Sequence, residues 1–123
     1  MNSQSQDSAR ADTKLKSALR NTWEAAAAGW AKWEQTFSSG LSDVTDTLID
    51  MAGIKPGMRV LDLACGAGSQ TLLVAQRIGP EGRVVASDIS TTMLEHVRQN
   101  AAKAGYKTLK LWNVRPTNWK KRS

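Results

Sequence analysis

Between Arg59 and Ala75 the chain passes from an apolar run (Val60, Leu61, Leu63, Ala64), through glycines at 66 and 68, into a helical pattern of Leu72, Leu73 and Ala75 ahead of Ile78. This order of patterns leaves few choices. It reads as a strand, a tight glycine turn and a helix, which together open a βαβ unit. Glycines let the backbone turn sharply and let a ligand approach the main chain. A helix beginning near Ser69 turns unpaired N–H groups toward the same crevice, where they favour an anionic group. A second short apolar strand, Arg83–Ser87, follows and ends on Asp88, twenty residues past Gly68. A carboxylate at that place suits a ribose, because it accepts hydrogen bonds from both hydroxyls. The pattern describes a nucleoside-containing cofactor.

Two residues narrow the choice. The dinucleotide fingerprint wants Gly or Ala at its third small position, and here that position is Thr71. Asp62 lies inside the first strand, four residues before Gly66. A buried acid is costly unless it has a partner. A diphosphate repels such an acid, whereas an ammonium pairs with it. S-adenosylmethionine carries an ammonium, a carboxylate for the helix N-terminus and a ribose. An NAD(P)-binding oxidoreductase is the alternative, disfavoured by Asp62 and Thr71. The bland reading makes Gly66 and Gly68 turn residues only and Asp88 a cap for the next helix.

The segment Val60–Gly68 resembles the glycine-rich motif of class I S-adenosylmethionine-dependent methyltransferases, and Val84–Leu94 resembles their second-strand acid and following helix. The resemblance runs from about Leu41 to Tyr106 and is nearest the small-molecule branch that includes the ubiquinone/menaquinone C-methyltransferases. It implies an α/β, Rossmann-like fold preceded by N-terminal helices. It also implies that Asp62, Gly66 and Gly68 line the methionine end of the cofactor. Asp88 would hold the ribose, with Ile89 beside it among the cofactor-binding residues. No catalytic residue is named by it. The acceptor would be a small molecule, and most acceptor contacts would lie beyond the end of this chain.

Ahead of that unit, residues 1–12 are polar and read as a disordered lead. Residues 13–55 read as a helical segment. Leu15, Leu19 and Trp23 recur at helical spacing, Ala25–Ala28 continue the pattern, and Gly29 is a candidate break or bend. Trp30, Trp33 and Phe37 share a further face, and Ser38 to Gly40 close it. These aromatics need a partner surface, either the body of the domain or the cofactor and substrate beneath a lid. Leu41, Val44, Leu48 and Met51 share the face of a second amphipathic helix. Residues 56–106 form the partial cofactor-binding domain, with helices from Ser69 to about Ile78 and from Thr91 to Ala104. The second of these is expected to bury Met93, Leu94, Val97 and Ala101 and to stop at Gly105. The lone cysteine, Cys65, fits a reducing, cytoplasmic setting and is expected to be an inert thiol. His96 is expected on a helix flank, with no chemistry. No metal-ligand cluster, secretory signal or transmembrane run is expected.

Residues 107–123 change character. They carry six of the seventeen Lys and Arg and none of the eleven acids, so the whole formal charge of +6 resides there. We read them as a non-native basic tail. In one permitted codon set, reading two bases later turns the tail into a strand, an acidic loop and a helix start, as a frameshift after Tyr106 would require. A genuine basic tail contacting nucleic acid through Lys, Arg and Trp is the alternative. Only two strands, at about 59–64 and 83–87, are identifiable. The chain alone is therefore expected to bind cofactor weakly or not at all and to lack turnover.

Overall fold

The computed structural model describes residues 3–114. Helices α1 (Ser3–Gly40) and α2 (Ser42–Met51) precede strand β1 (Arg59–Leu63), helix α3 (Ser69–Ile78), strand β2 (Arg83–Asp88), helix α4 (Thr91–Ala104) and strand β3 (Leu109–Asn113). The strands form one parallel sheet in the order β1-β2-β3. This is a Rossmann-like alternation behind N-terminal helices, as the sequence implies. In register, Val60 faces Val84 and Asp62 faces Ala86, while Val84 and Ala86 face Leu109 and Leu111 on the other side. Because alternate side chains share a sheet face, these residues form one surface. Leu61 and Leu63 point the opposite way, and Leu63 remains 68% exposed.

The core lies on the first surface. Ile49, Val74, Ala75, Ile78 and Val84 are buried together, with Val60, Tyr106 and Leu109 packed against them. Helix α4 buries Met93, Leu94, Val97 and Ala101 and ends with Gly105 as its C-cap, as its periodicity predicts. Ser90 caps its start, the hydroxyl accepting from the Met93 N–H at 3.1 Å. A smaller cluster of Ala27, Ala67 and Met93 joins α1 to the glycine turn and α4.

Three expectations need correction. The sheet has a third strand where the sequence was read as offering two. Leu109–Asn113 pairs along β2, and Leu109 packs on the core. The alternation of Leu109 and Leu111 around exposed Lys110 is a strand signal that the basic composition of the stretch obscured. The lead is helical from Ser3 and wholly solvent-exposed up to Leu15. Helix propagation is cooperative once a strong former such as the 25–28 alanine run has nucleated it, and it continues through Gly29. Finally, α2 turns Thr45 and Ile49 inward and leaves Leu41, Val44, Leu48 and Met51 exposed. Periodicity says which residues share a face, not which face meets the core. Residues 1–2 of the lead and 115–123 of the basic stretch lie outside the described residues.

Gly68 fixes how α3 meets α4. Its φ is +94°, and a Cβ there would lie 2.8 Å from Val97 Cγ2. The glycine is therefore required for packing between helices as well as for the turn. Gly68→Ala should destabilise the fold by roughly 1–3 kcal/mol, from overpacking plus left-handed strain. A urea-denaturation double-mutant cycle with Val97→Ala should return a coupling of about 1 kcal/mol or more. Additive losses would show that the close approach costs nothing.

Candidate functional site

The carboxyl ends of β1 and β2 and the amino ends of α3 and α4 converge on one cavity of about 600 Å³. This is where open parallel sheets bind ligands. Its floor is the turn after β1, from Ala64 to Ala67, with Ser69 and Gln70 of α3. Ser87, Asp88 and Ile89 supply one wall, and Trp23, Trp30, Glu34 and Phe37 of α1 supply another. Gly66 has φ +58° and nothing within 4 Å of where a Cβ would sit, so the main chain there is open to close approach. Ala64 also takes a positive φ, 54°. That costs a non-glycine residue of order 1 kcal/mol, and no pattern in the sequence signals it.

Asp88 ties the site together. The Gly66 N–H donates to its Oδ2 at 3.0 Å, and the Ser90 N–H donates to its Oδ1 at 2.8 Å. One carboxylate thus joins the glycine turn to the entry of α4, and each oxygen retains further acceptor capacity. From β3, Asn113 Nδ2 donates to the carbonyls of Asp88 and Ile89, at 3.2 and 3.1 Å. No sequence signal marks Asn113 for this role, because it stands within the atypical basic stretch.

Of the five residues expected to meet the cofactor, Gly66, Asp88 and Ile89 line the cavity; Asp62 and Gly68 are not among its walls. The Asp62 side chain accepts a hydrogen bond from Thr71 Oγ1 at 2.6 Å. Thr71, which departs from the dinucleotide fingerprint, is fully buried and serves as the partner the acid needs. Burial pushes the Asp62 pKa up; the Thr71 hydrogen bond opposes this, and the Asp88 charge adds to it. A cation arriving near both acids relieves that repulsion. Burial first, then the charges of Asp62 and Asp88, push the Cys65 thiol to about 12. Cys65 stays protonated and is no nucleophile. His96 is half-buried on α4 and is not among the residues that line the cavity.

The acids of α1 are the functional contacts that the sequence reading missed. Glu34 Oε1 accepts from the Ser69 N–H at 3.0 Å, at the first residue of α3. Glu24 does the same for α4: its Oε1 accepts from the Thr91 and Thr92 N–H groups, and its Oε2 from Thr92 Oγ1 at 2.5 Å. Helical spacing places both acids on the side of α1 that carries Ala27 and Ala31 into the domain. Capping from so far away in the chain, 35 residues in one case and 67 in the other, has no local sequence signature. Beside them the rings of Trp23, Trp30 and Phe37 run in series, with centroids 6.4 and 5.7 Å apart.

Among the described residues no group of three or more His, Cys, Asp or Glu is arranged to hold a metal. No described helix is long and apolar enough to cross a membrane. An open glycine turn, an acid at the end of β2 and a helix N-terminus sharing one cavity fit the ribose, main body and carboxylate of an adenosyl amino acid.

A family model described as a methyltransferase domain matches residues 54–115. The chain is 38% identical over 88 residues to a demethylmenaquinone methyltransferase of Symbiobacterium thermophilum, covering 69% of this chain and 31% of that protein. It is 41% identical over 58 residues to a ubiquinone/menaquinone biosynthesis C-methyltransferase of Teredinibacter turnerae, covering 47% of this chain and 23% of that one. Among solved structures, an S-adenosylmethionine-dependent methyltransferase from Aquifex aeolicus superposes with a TM-score of 0.54 at 27% identity, over 58% of this chain and 38% of that chain. The chain thus matches less than a third of the length of these two curated relatives.

Glu24 makes the docking of α1 pH-dependent. Its pKa is lowered from 4.5 to about 2, chiefly by the Thr92 hydroxyl. A carboxylate with a depressed folded pKa stabilises fully above its unfolded pKa, and that stabilisation is lost as pH falls through the folded value. The helix should therefore loosen as pH falls from about 4.5 toward about 2, read by the fluorescence of Trp23 and Trp30. In Glu24→Gln this acid step should vanish and the loosened signal should already be present at neutral pH. An unchanged acid step in the variant would clear Glu24 of the role.

Proposed function

Since the chain belongs to the class I S-adenosylmethionine-dependent methyltransferases, we propose that the protein it represents transfers a methyl group from S-adenosylmethionine to an apolar small molecule. The observation that carries this reading is the single cavity in which Asp88, the Gly66 turn and the N-terminus of α3 meet an apolar wall. Gly66, Asp88 and Ile89 are proposed to contact the cofactor directly, with Asp88 on the ribose. Gly68 sets the turn through Val97. Asp62, held by Thr71, contributes negative charge for the ammonium.

When bound, S-adenosylmethionine supplies an electrophilic methyl on its sulfonium. The chain's own residues position and enclose. Trp23, Trp30, Phe37, Leu63 and Met93 give the cavity a largely apolar lining, which excludes water and orders an acceptor without charging it. That one relative is named a demethylmenaquinone methyltransferase and another a C-methyltransferase of ubiquinone/menaquinone biosynthesis supports an apolar acceptor. A dinucleotide-dependent oxidoreductase has no support here, because Thr71 is committed to Asp62 where the dinucleotide fingerprint needs its smallest residue.

For the basic end, we propose a change of reading frame beyond β3 and not directly after Tyr106, because Leu109–Asn113 pairs along β2 and the methyltransferase-domain match continues to residue 115. The charge of the remainder supports it, since residues 115–123 carry Arg115, Lys120, Lys121 and Arg122 and no acid. Sequencing the gene downstream of the codon for Tyr106 decides it: an intact acidic frame is expected, and its absence would leave a genuine basic tail.

In the full-length, frame-restored protein, Asp88→Ala should weaken S-adenosylmethionine binding by about 1.5–3 kcal/mol, the range for a hydrogen bond to a charged group, measured by calorimetry. Unchanged affinity would remove Asp88 from the site. Gly66→Val should lose more, because a β-branched side chain opposes both the positive φ and close approach.

A further inference from the structure

Helix α3 begins without a side-chain cap of its own, its N-cap being Gly68. The donor at its first residue is satisfied from α1, by Glu34. Glu34, Ser69, Gln70 and Asp88 all line the same cavity. A helix N-terminus carries roughly half a positive charge and stabilises one nearby anion. Two carboxylates competing for the same N–H repel each other and leave one unpaired. On the reading given under Proposed function, a cofactor with an α-carboxylate brings the second carboxylate to this place.

We propose that Glu34 is an internal occupant of the cofactor's carboxylate position, displaced when the cofactor binds. Displacement releases one of the two acids that fasten α1, while Glu24 keeps the other on Thr91 and Thr92. Trp30 and Phe37 lie one helical turn to either side of Glu34 and line the cavity with it. When Glu34 leaves Ser69, these two rings shift with their helix, so the apolar wall is remade around bound cofactor. The acceptor's binding surface is then completed only after the cofactor has arrived.

The test compares S-adenosylmethionine with its decarboxylated form, which keeps the adenosine, sulfonium and ammonium and lacks only the carboxylate. Affinities of the full-length protein that this chain represents are measured by titration calorimetry for wild type, Glu34→Gln and Glu34→Ala. Gln is close to isosteric and removes the charge; Ala removes the side chain. Both variants should bind S-adenosylmethionine roughly five- to twentyfold more tightly, the scale of one charged contact at a helix end. The decarboxylated form should bind them no better than it binds wild type. Unchanged or weaker S-adenosylmethionine binding in Glu34→Gln overturns the proposal. Equal tightening of both ligands overturns it too, since that would show general opening of α1 and no competition for a carboxylate position. Failure of every variant and the wild type to bind either ligand would instead strike the cofactor reading itself.

Discussion

The Asp88 carboxylate is the interaction on which the arrangement of the site depends. It takes the N–H of Gly66 on one oxygen and that of Ser90 on the other, so the turn after β1 cannot move independently of the entry to α4. A parallel sheet fixes its strands by register, but the loops at its carboxyl edge are not in the ladder and need another source of order. Here one side chain supplies it. The backbone of Asp88 is fixed in turn by Asn113 on β3. Gly68 against Val97 completes the frame from the helix side. The cavity is the space that remains once these contacts are made.

Much of this was legible in the sequence. The strand–turn–helix reading of residues 59–78, the glycine positions, the acid at 88 and the four buried residues of α4 follow from periodicity and from what glycine permits, all local signals. The losses share a cause. Orientation of a helix face is decided by what lies across from it, so α2 presents Ile49 inward even though Leu41, Val44, Leu48 and Met51 share a tidier stripe. Strand β3 was hidden because charge is a property of composition, whereas pairing depends on alternation. Thr71 was weighed as an exception to a fingerprint, and its hydroxyl proves to be what makes a half-buried Asp62 tolerable.

Helix α1 illustrates a different limit. Its aromatics announce that some surface must meet them, and they do line the cavity, though Trp23 and Trp30 stay nearly half exposed. Its acids announce nothing, since Glu24 and Glu34 look like ordinary members of a solvated helix. Yet they are what attaches it, by accepting from backbone N–H groups at the amino ends of α4 and α3. Apolar contact between α1 and the domain is small, built on Ala27 and Ala31. A helix held mainly by carboxylates on backbone donors can let go without tearing a core apart, which suits an element that borders a binding site.

The order of strands in space repeats their order in the chain. During synthesis, therefore, each strand emerges to find its neighbour already made: β1 waits for β2, and β2 for β3. Among the described strands none is held open for a partner translated much later, and each closure spans one helix and its loops, which keeps the entropy of closing it low. This three-stranded sheet can thus grow outward from β1 by accretion, with the glycine turn formed at the first step and the acid that locks it delivered at the second.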